Sequence, residues 1–354
     1  MRSAAVGDLS GCSWSMTSNR RQRWIRHGQR GLALITALLV VAIVATIAAY
    51  LSLSTEVWIR QVQNLADRSQ AEEVRDGALA LALKVLDDNA KQNNPTDNLT
   101  QEWARALPPM PVANGTVVVR IFDAQSRFNL NNLMSGNVPS QPDIAVFQNL
   151  LRALGIDPSI MDALLDWIGP PGPPRPDGAQ SDYYLTLTPP YRAANQPLQS
   201  VEELRLVRGF NAKIVEALRP YVVALPVSTP VNINTADAMV LSALFTSMSP
   251  QTAQTLVAQR DNTPDPFTDP GQLQSRAGQA PQNGQSFDVK TSYYIVDIQT
   301  SFGRIYNDSR TLVYSPGGAQ SAQVLWQSGV LQANLPKGDT GTGQSSSGVG
   351  QNGG

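Results

Sequence analysis

One cysteine and one histidine occur in the 354 residues. They are Cys12 and His27, and both lie near the N-terminus. Everything after residue 27 therefore lacks the parts for a disulfide, a Cys/His zinc site, a Cys–His nucleophile pair or a Ser–His–Asp triad. Cys12 ends Leu9-Ser10-Gly11-Cys12, which has the form of a lipobox. The short stretch before it contains Arg2 and Asp8 and offers no apolar segment to insert. Carboxylates remain as chemistry: Asp166 and Asp182 flank the run Gly169-Pro-Pro-Gly-Pro-Pro-Arg-Pro176. They supply the material of acid/base hydrolysis without the spacing of a defined pair. Phosphate recognition has one candidate, the glycine-bearing hairpin Val207-Arg208-Gly209-Phe210-Asn211, since backbone N–H groups at such a turn hold phosphate oxygens. A second hairpin, Phe245-Thr-Ser-Met-Ser-Pro250, has no glycine. Residues 231–280 set Arg260 and Arg276 against Asp237, Asp261, Asp265 and Asp269. A membrane-anchored helix-hairpin-helix protein that binds or takes up DNA is thus the alternative reading, and an acidic surface disfavours nucleic acid as partner.

The elements that position these groups start with an anchor. No charge occurs from Gly31 to Thr55, and the apolar run Leu32–Leu53 makes a helix of about 33 Å, enough for a hydrocarbon core of about 30 Å. Six arginines (Arg2, Arg20, Arg21, Arg23, Arg26 and Arg30) precede it against one acid, Asp8. The positive-inside rule then leaves the N-terminus cytoplasmic and the bulk across the membrane. The formal net charge of −1 hides this asymmetry, because the chain after residue 31 holds 21 basic and 27 acidic residues, a net of −6. A cleaved secretory signal would have a shorter core and a small-residue site, which Ala48-Ala49-Tyr50 is not. A plain membrane anchor remains compatible.

Beyond Thr55 the helical period continues with an amphipathic face through Val57, Leu65, Val74, Leu79, Leu83 and Leu86 to about Asn89. Gly115–Asp123 reads as a strand from its β-branched residues, and Arg127–Asn131 as a second. Strands return over Gln285–Gln299, Arg304–Tyr314 and Gln323–Gln327, with a hairpin turn at Phe302-Gly303. Between them, Ile144–Leu154 and Pro158–Ile168 have helical spacing, and the prolines after Gly169 form a surface loop. Two helix-hairpin-helix units follow. Ser200 with Glu203 makes a capping box for Ser200–Leu218, with Gly209 at the turn. In Val231-Asn-Ile-Asn-Thr-Ala236, Thr235 or Asn234 caps a helix through Leu244, before helices at Pro250–Arg260 and from Asp269. Phe128-Asn-Leu-Asn-Asn132 echoes that Asn-Ile-Asn opening, a faint sign of duplication. The fold expected is α+β: a long N-terminal helix packed on an antiparallel sheet, an arrangement that resembles the pilin-like fold, with a large helical insertion containing helix-hairpin-helix-like (SAM-like) units. The Gly/Ser/Gln-rich tail cannot offset its ordering entropy.

The junction Gln29-Arg30-Gly31 followed directly by Leu32 resembles a type IV prepilin leader. That resemblance implies cleavage between Gly31 and Leu32 by a prepilin peptidase and N-methylation of Leu32, with the leader starting at Met1 or Met16. Pilin-like subunits carry glutamate at the fifth mature position, which here is Thr36. The lost carboxylate would pair a neighbour's N-terminal ammonium inside an apolar filament, where an unpaired charge is costly. A subunit without it suits the tip. With Leu165-Asp-Trp-Ile168, Tyr183-Tyr184, Pro190-Tyr-Arg192, Ser200-Val-Glu-Glu-Leu204, Pro220-Tyr221 and Val231-Asn-Ile-Asn-Thr-Ala236 in this order, residues 30–330 resemble the K-type minor pseudopilins of type II secretion systems. The resemblance implies a non-enzymatic protein at the tip of a periplasmic pseudopilus that primes assembly. Its implied partners are minor pseudopilins of the I and J types, the prepilin peptidase, the inner-membrane assembly platform, secreted substrate and the outer-membrane secretin. It divides the chain into leader 1–31, membrane helix 32–55, helix and first strands 56–131, inserted helical domain 132–226, second helical unit 227–280, late strands 281–330 and disordered tail 331–354. It also implies calcium near the Asp-Trp turn, for which Asp166, Asp177 and Asp182 are the available carboxylates. Gly169 and Gln180 stand where that family tends to have acids, and hard Ca²⁺ wants several charged oxygens.

Overall fold

The computed structural model describes residues 29–333 apart from 114, 263–264, 283, 285, 304 and 319. Cys12, His27, both candidate start methionines and the tail from 334 lie outside the described residues. Helix α1 runs Gln29–Lys91, followed by strands β1 (Met110–Val112), β2 (Gly115–Asp123), β3 (Phe128–Asn129), β4 (Met134–Ser135) and β5 (Val138–Pro139). Helices α2 (Gln141–Ala153), α3 (Ile160–Ile168), α4 (Ser181–Tyr184) and α5 (Ala212–Leu218) come next, then β6 (Val222–Val223) and β7 (Val231–Asn232). The chain continues through α6 (Ala238–Ala243), α7 (Pro250–Asn262), α8 (Gly271–Ala277), β8 (Phe287–Asp288), β9 (Tyr293–Phe302), β10 (Ile305–Tyr314) and β11 (Gln323–Ala333).

Two units divide the chain, residues 1–63 and 64–354. In the first, residues 32–63 are helical and exposed on every side, a condition that only an apolar solvent or a partner makes favourable.

The second unit is built on a five-stranded sheet of order β1-β2-β9-β10-β11, antiparallel throughout. The neighbours β2 and β9 are joined by the whole helical segment, so the early and late strands close one sheet around an insertion. Alternation sends Val117, Val119, Tyr294, Val296, Ile298 and Val313 to one face, where Ala78, Leu79, Ala82 and Leu86 of α1 pack on them with Trp103. Gly303 takes φ +51° in the β9–β10 turn, as the tight hairpin requires. The insertion has its own core, from Phe128 through Phe147, Leu164, Leu218 and Leu241 to Val289, which both helical units share.

Local readings depart from the structure in several places. The expected strand Gln285–Gln299 is two strands, with β8 paired to β7 outside the main sheet, and β11 runs to Ala333, past the tail boundary expected at 331. Arg127–Asn131 is no sheet strand: only Phe128–Asn129 pairs, in parallel with Val222–Val223, before a 3-10 turn at Leu130–Leu133. The asparagines bind backbone through their side chains and so draw the segment away from a ladder. Ser200 and Glu203 do form a capping box, but on a 3-10 helix, Val201–Leu206. The cap of α6 is Asp237, which accepts from the Met239 amide at 2.8 Å, rather than Thr235 or Asn234.

Candidate functional site

Along the stem, Leu32 is 69% exposed, and Thr36 Oγ1 donates to Ala33 O one turn back at 3.0 Å. The hydroxyl is therefore spent on its own helix, as Ser and Thr commonly are in apolar helices. Position 36 presents no charge to a neighbour.

Where the insertion leaves the sheet, Asp123 at the end of β2 is 4% exposed. Its Oδ1 accepts from the Gln125 amide at 2.7 Å, and Oδ2 accepts from Asn232 Nδ2 at 2.8 Å and Thr235 Oγ1 at 2.6 Å. Burial pushes its carboxyl up to about 6, against the lowering pull of these donors. Asn232 Nδ2 also donates to Asp97 O at 3.0 Å. Burial raises the Asp97 carboxyl too, while its Oδ2 accepts from the Thr291 amide at 3.0 Å. These buried groups tie β2, the Thr291 segment and the second helical unit together.

Each helical unit is closed by an asparagine clamp. Asn131 Nδ2 donates to Leu198 O at 2.9 Å while its Oδ1 accepts from the Leu198 amide at 2.8 Å. Asn234 makes the same pair of bonds with Phe267, at 2.9 and 2.8 Å. In both units a parallel two-residue bridge sits beside the clamp, β3 with β6 and β7 with β8. The echo between Phe128–Asn132 and Val231–Asn234 thus extends to equivalent bonds on residues 67 and 33 positions away.

The glycine hairpin is committed to packing. Gly209 has φ +86°, and a Cβ there would lie 2.9 Å from Ile160 Cγ2. The Arg208 amide donates to Tyr184 Oη at 3.2 Å, and Arg208 Nη1 donates to Gly178 O at 2.8 Å. The Arg208 amide and guanidinium, on which a phosphate would call, are used inside the fold. A groove of about 610 Å³ lies beside the sheet, lined among others by Arg127, Glu202, Arg219, Asp308, Arg310 and Trp326. Its charges are largely paired: Arg310 with Asp297 at 2.8 Å, and Arg219 with Glu202 at 2.6 Å and with Glu216 at 3.1 Å.

The three carboxylates expected to hold calcium do not meet. Asp166 is 1% exposed, and its side chain is taken by the Arg175 guanidinium and by the Arg175 amide at 2.9 Å. The Asp177 amide donates to Asp162 Oδ2 at 3.3 Å, and the side chains of Asp177 and Asp182 are exposed. Among the described residues no three acids, histidines or cysteines are grouped to hold a metal. As placed, this set does not fit a calcium ion, because the one buried carboxylate already has a cation. Spacing in the sequence did not reveal Arg175 and Asn195 as the groups bound in this loop; the hint was Gln180, a neutral residue at an acid's place.

Comparison with known proteins gives a consistent result. Models of the type II secretion system (T2SS) protein K match residues 126–227 and 231–290. Type II secretion system protein K of Pseudomonas aeruginosa is 36% identical over 295 residues, covering 79% of this chain and 86% of the relative. That of Pectobacterium carotovorum subsp. carotovorum is 32% identical, covering 85% and 96%. Among solved structures, a chain of the GspK-GspI-GspJ complex from the enterotoxigenic Escherichia coli type 2 secretion system superposes with a TM-score of 0.66. It is 24% identical and covers 76% of this chain and 99% of its own, so it speaks for the fold.

Proposed function

This chain belongs to the type II secretion system protein K family, the K-type minor pseudopilins, and from that premise we propose that it caps the tip of a short periplasmic pseudopilus. In this reading the leader is cut between Gly31 and Leu32 by the prepilin peptidase and Leu32 is N-methylated. The mature helix is held in the inner membrane, with the domain after it in the periplasm, until the assembly platform extrudes it. I- and J-type minor pseudopilins, such as those in the complex of the structural relative, join it there, and together they prime assembly. The tip then meets secreted substrate or the outer-membrane secretin. No catalytic step is assigned to it.

The observation that carries the reading is the stem. An uncharged helix, exposed around its circumference, runs on into the part of α1 packed against the sheet, and Thr36 turns its hydroxyl to its own backbone. A stem without a carboxylate has nothing to neutralise the ammonium of a subunit above it, so the position with no subunit above it suits this chain. Intact mass measurement of the chain from cells with and without prepilin peptidase tests the processing. A methylated chain starting at Leu32, only where the peptidase is present, is expected; an unprocessed chain in both overturns the pilin reading. Co-purification with I- and J-type partners tests the tip, and a chain that never associates with them refutes it.

A further inference from the structure

After the Asp166-Trp167 turn, three oxygens crowd around one nitrogen. Asn195 Nδ2 lies 2.9 Å from Gly169 O, 3.3 Å from Asp166 O and 3.4 Å from Gln180 Oε1. Oxygens from three separate points of a loop, gathered on one centre, are what a hard cation collects, though at about 2.3–2.6 Å. Here the separations are those of N–H···O bonds. Gln180 Nε2 adds a second donor to Asp166 O at 3.3 Å, so three hydrogens, two from Asn195 and one from Gln180, serve the three oxygens.

The placement of Asn195 is enforced. Its φ of +47° lies in the left-handed region, which asparagine holds more readily than other residues with a Cβ. Its amide donates to Trp167 O at 2.7 Å, fixing the backbone from which the side chain reaches into the loop. The charge is balanced separately. The Asp166 carboxylate is paired with Arg175 from the loop itself, and a Cβ at Gly178 would run into that carboxylate. Arg208 fastens the far side through Gly178 O at 2.8 Å. Each task of a bound divalent ion, gathering oxygens and neutralising the buried acid, is covered by a side chain.

We propose that the Asn195 amide and the Arg175 guanidinium take the place of a divalent cation in this loop, which closes without metal. The inference stands apart from the secretion role, and its test leaves that role untouched.

The full chain in detergent micelles is titrated with calcium chloride by calorimetry, and its thermal unfolding is followed in calcium and in chelator. Wild type is expected to give no saturable heat and the same midpoint in both media. Gln180→Glu puts a carboxylate into the oxygen group while keeping an acceptor for Asn195, and the Asn195 amide can turn its oxygen inward. This variant is expected to gain a calcium-dependent rise in midpoint that wild type lacks. Arg175→Gln should unfold several degrees lower in both media, because it strands the Asp166 carboxylate. Saturable calcium binding by wild type overturns the proposal. A folded Gln180→Glu chain indifferent to calcium overturns it too, since the oxygens would then not be arranged for a cation. An Arg175→Gln chain as stable as wild type removes the role given to the guanidinium.

Discussion

Asp123 should make the sheet-bearing domain less stable at neutral pH than in mild acid. In the fold its carboxyl titrates at about 6 against an ordinary value of 3.8, so the native state binds a proton more tightly than the unfolded chain. A group with its folded value raised contributes stability that is fully present below the unfolded value and lost as pH rises through the folded one. Between 3.8 and about 6 the loss amounts to about 3 kcal/mol, at about 1.4 kcal/mol for each tenfold change in proton concentration. Asp97 and Asp143, both raised by burial, slope the same way, so wild type alone does not isolate the effect. The comparison is with Asp123→Asn, whose amide oxygen still accepts from the Gln125 amide and carries no ionisation. Its nitrogen faces Asn232 Nδ2, which loses an acceptor at a cost of about 1–3 kcal/mol at every pH. Thermal or denaturant unfolding of both chains from about pH 4 to about pH 7 should show wild type falling more steeply by about 2.4 kcal/mol. Parallel curves for the two chains would refute the reasoning, because some other group would then carry the slope.

The remaining expectations concern packing and clamps. Asn131→Ala strands a carbonyl at Leu198, another at Leu225 and the Leu198 amide, and should cost about 3–6 kcal/mol in denaturant unfolding. Asn131→Asp, of the same shape, should be no better at neutral pH, because its oxygen would face two carbonyls. Gly209→Ala combines a φ of +86° with a close approach to Ile160 and should lower stability by about 1–3 kcal/mol; an unchanged midpoint would mean the hairpin can relax. Leu86→Ala opens the helix–sheet core where Leu86 is 1% exposed, at about 2–5 kcal/mol, with hydrogen exchange expected to rise in β2 and β9 first.

The sequence by itself determined what depends on neighbours along the chain. An uncharged run from Gly31 to Thr55 can only be an apolar helix, and β-branched residues over Gly115–Asp123 made β2 legible. Ser200 and Glu203 are three residues apart and cap locally, so their box could be read in advance. The absence of cysteine and histidine after residue 27 ruled out whole classes of chemistry before any contact was known. Only the tertiary structure decided the rest. Asn129 and Asn131 sit in a segment with strand-like composition, yet they bond backbone at Leu225 and Leu198, and no local rule reports which distant loop will arrive. Asp166 looked like a free ligand until the chain turned Arg175 onto it. The raised proton affinity of Asp123 follows from desolvation by a domain inserted between β2 and β9. Helical period, caps and membrane length are set within a few residues and leave a pattern. Hydrogen bonds and charge pairs across an inserted domain depend on which surfaces exclude water together, and that is settled only when the two edges of the insertion meet on the sheet.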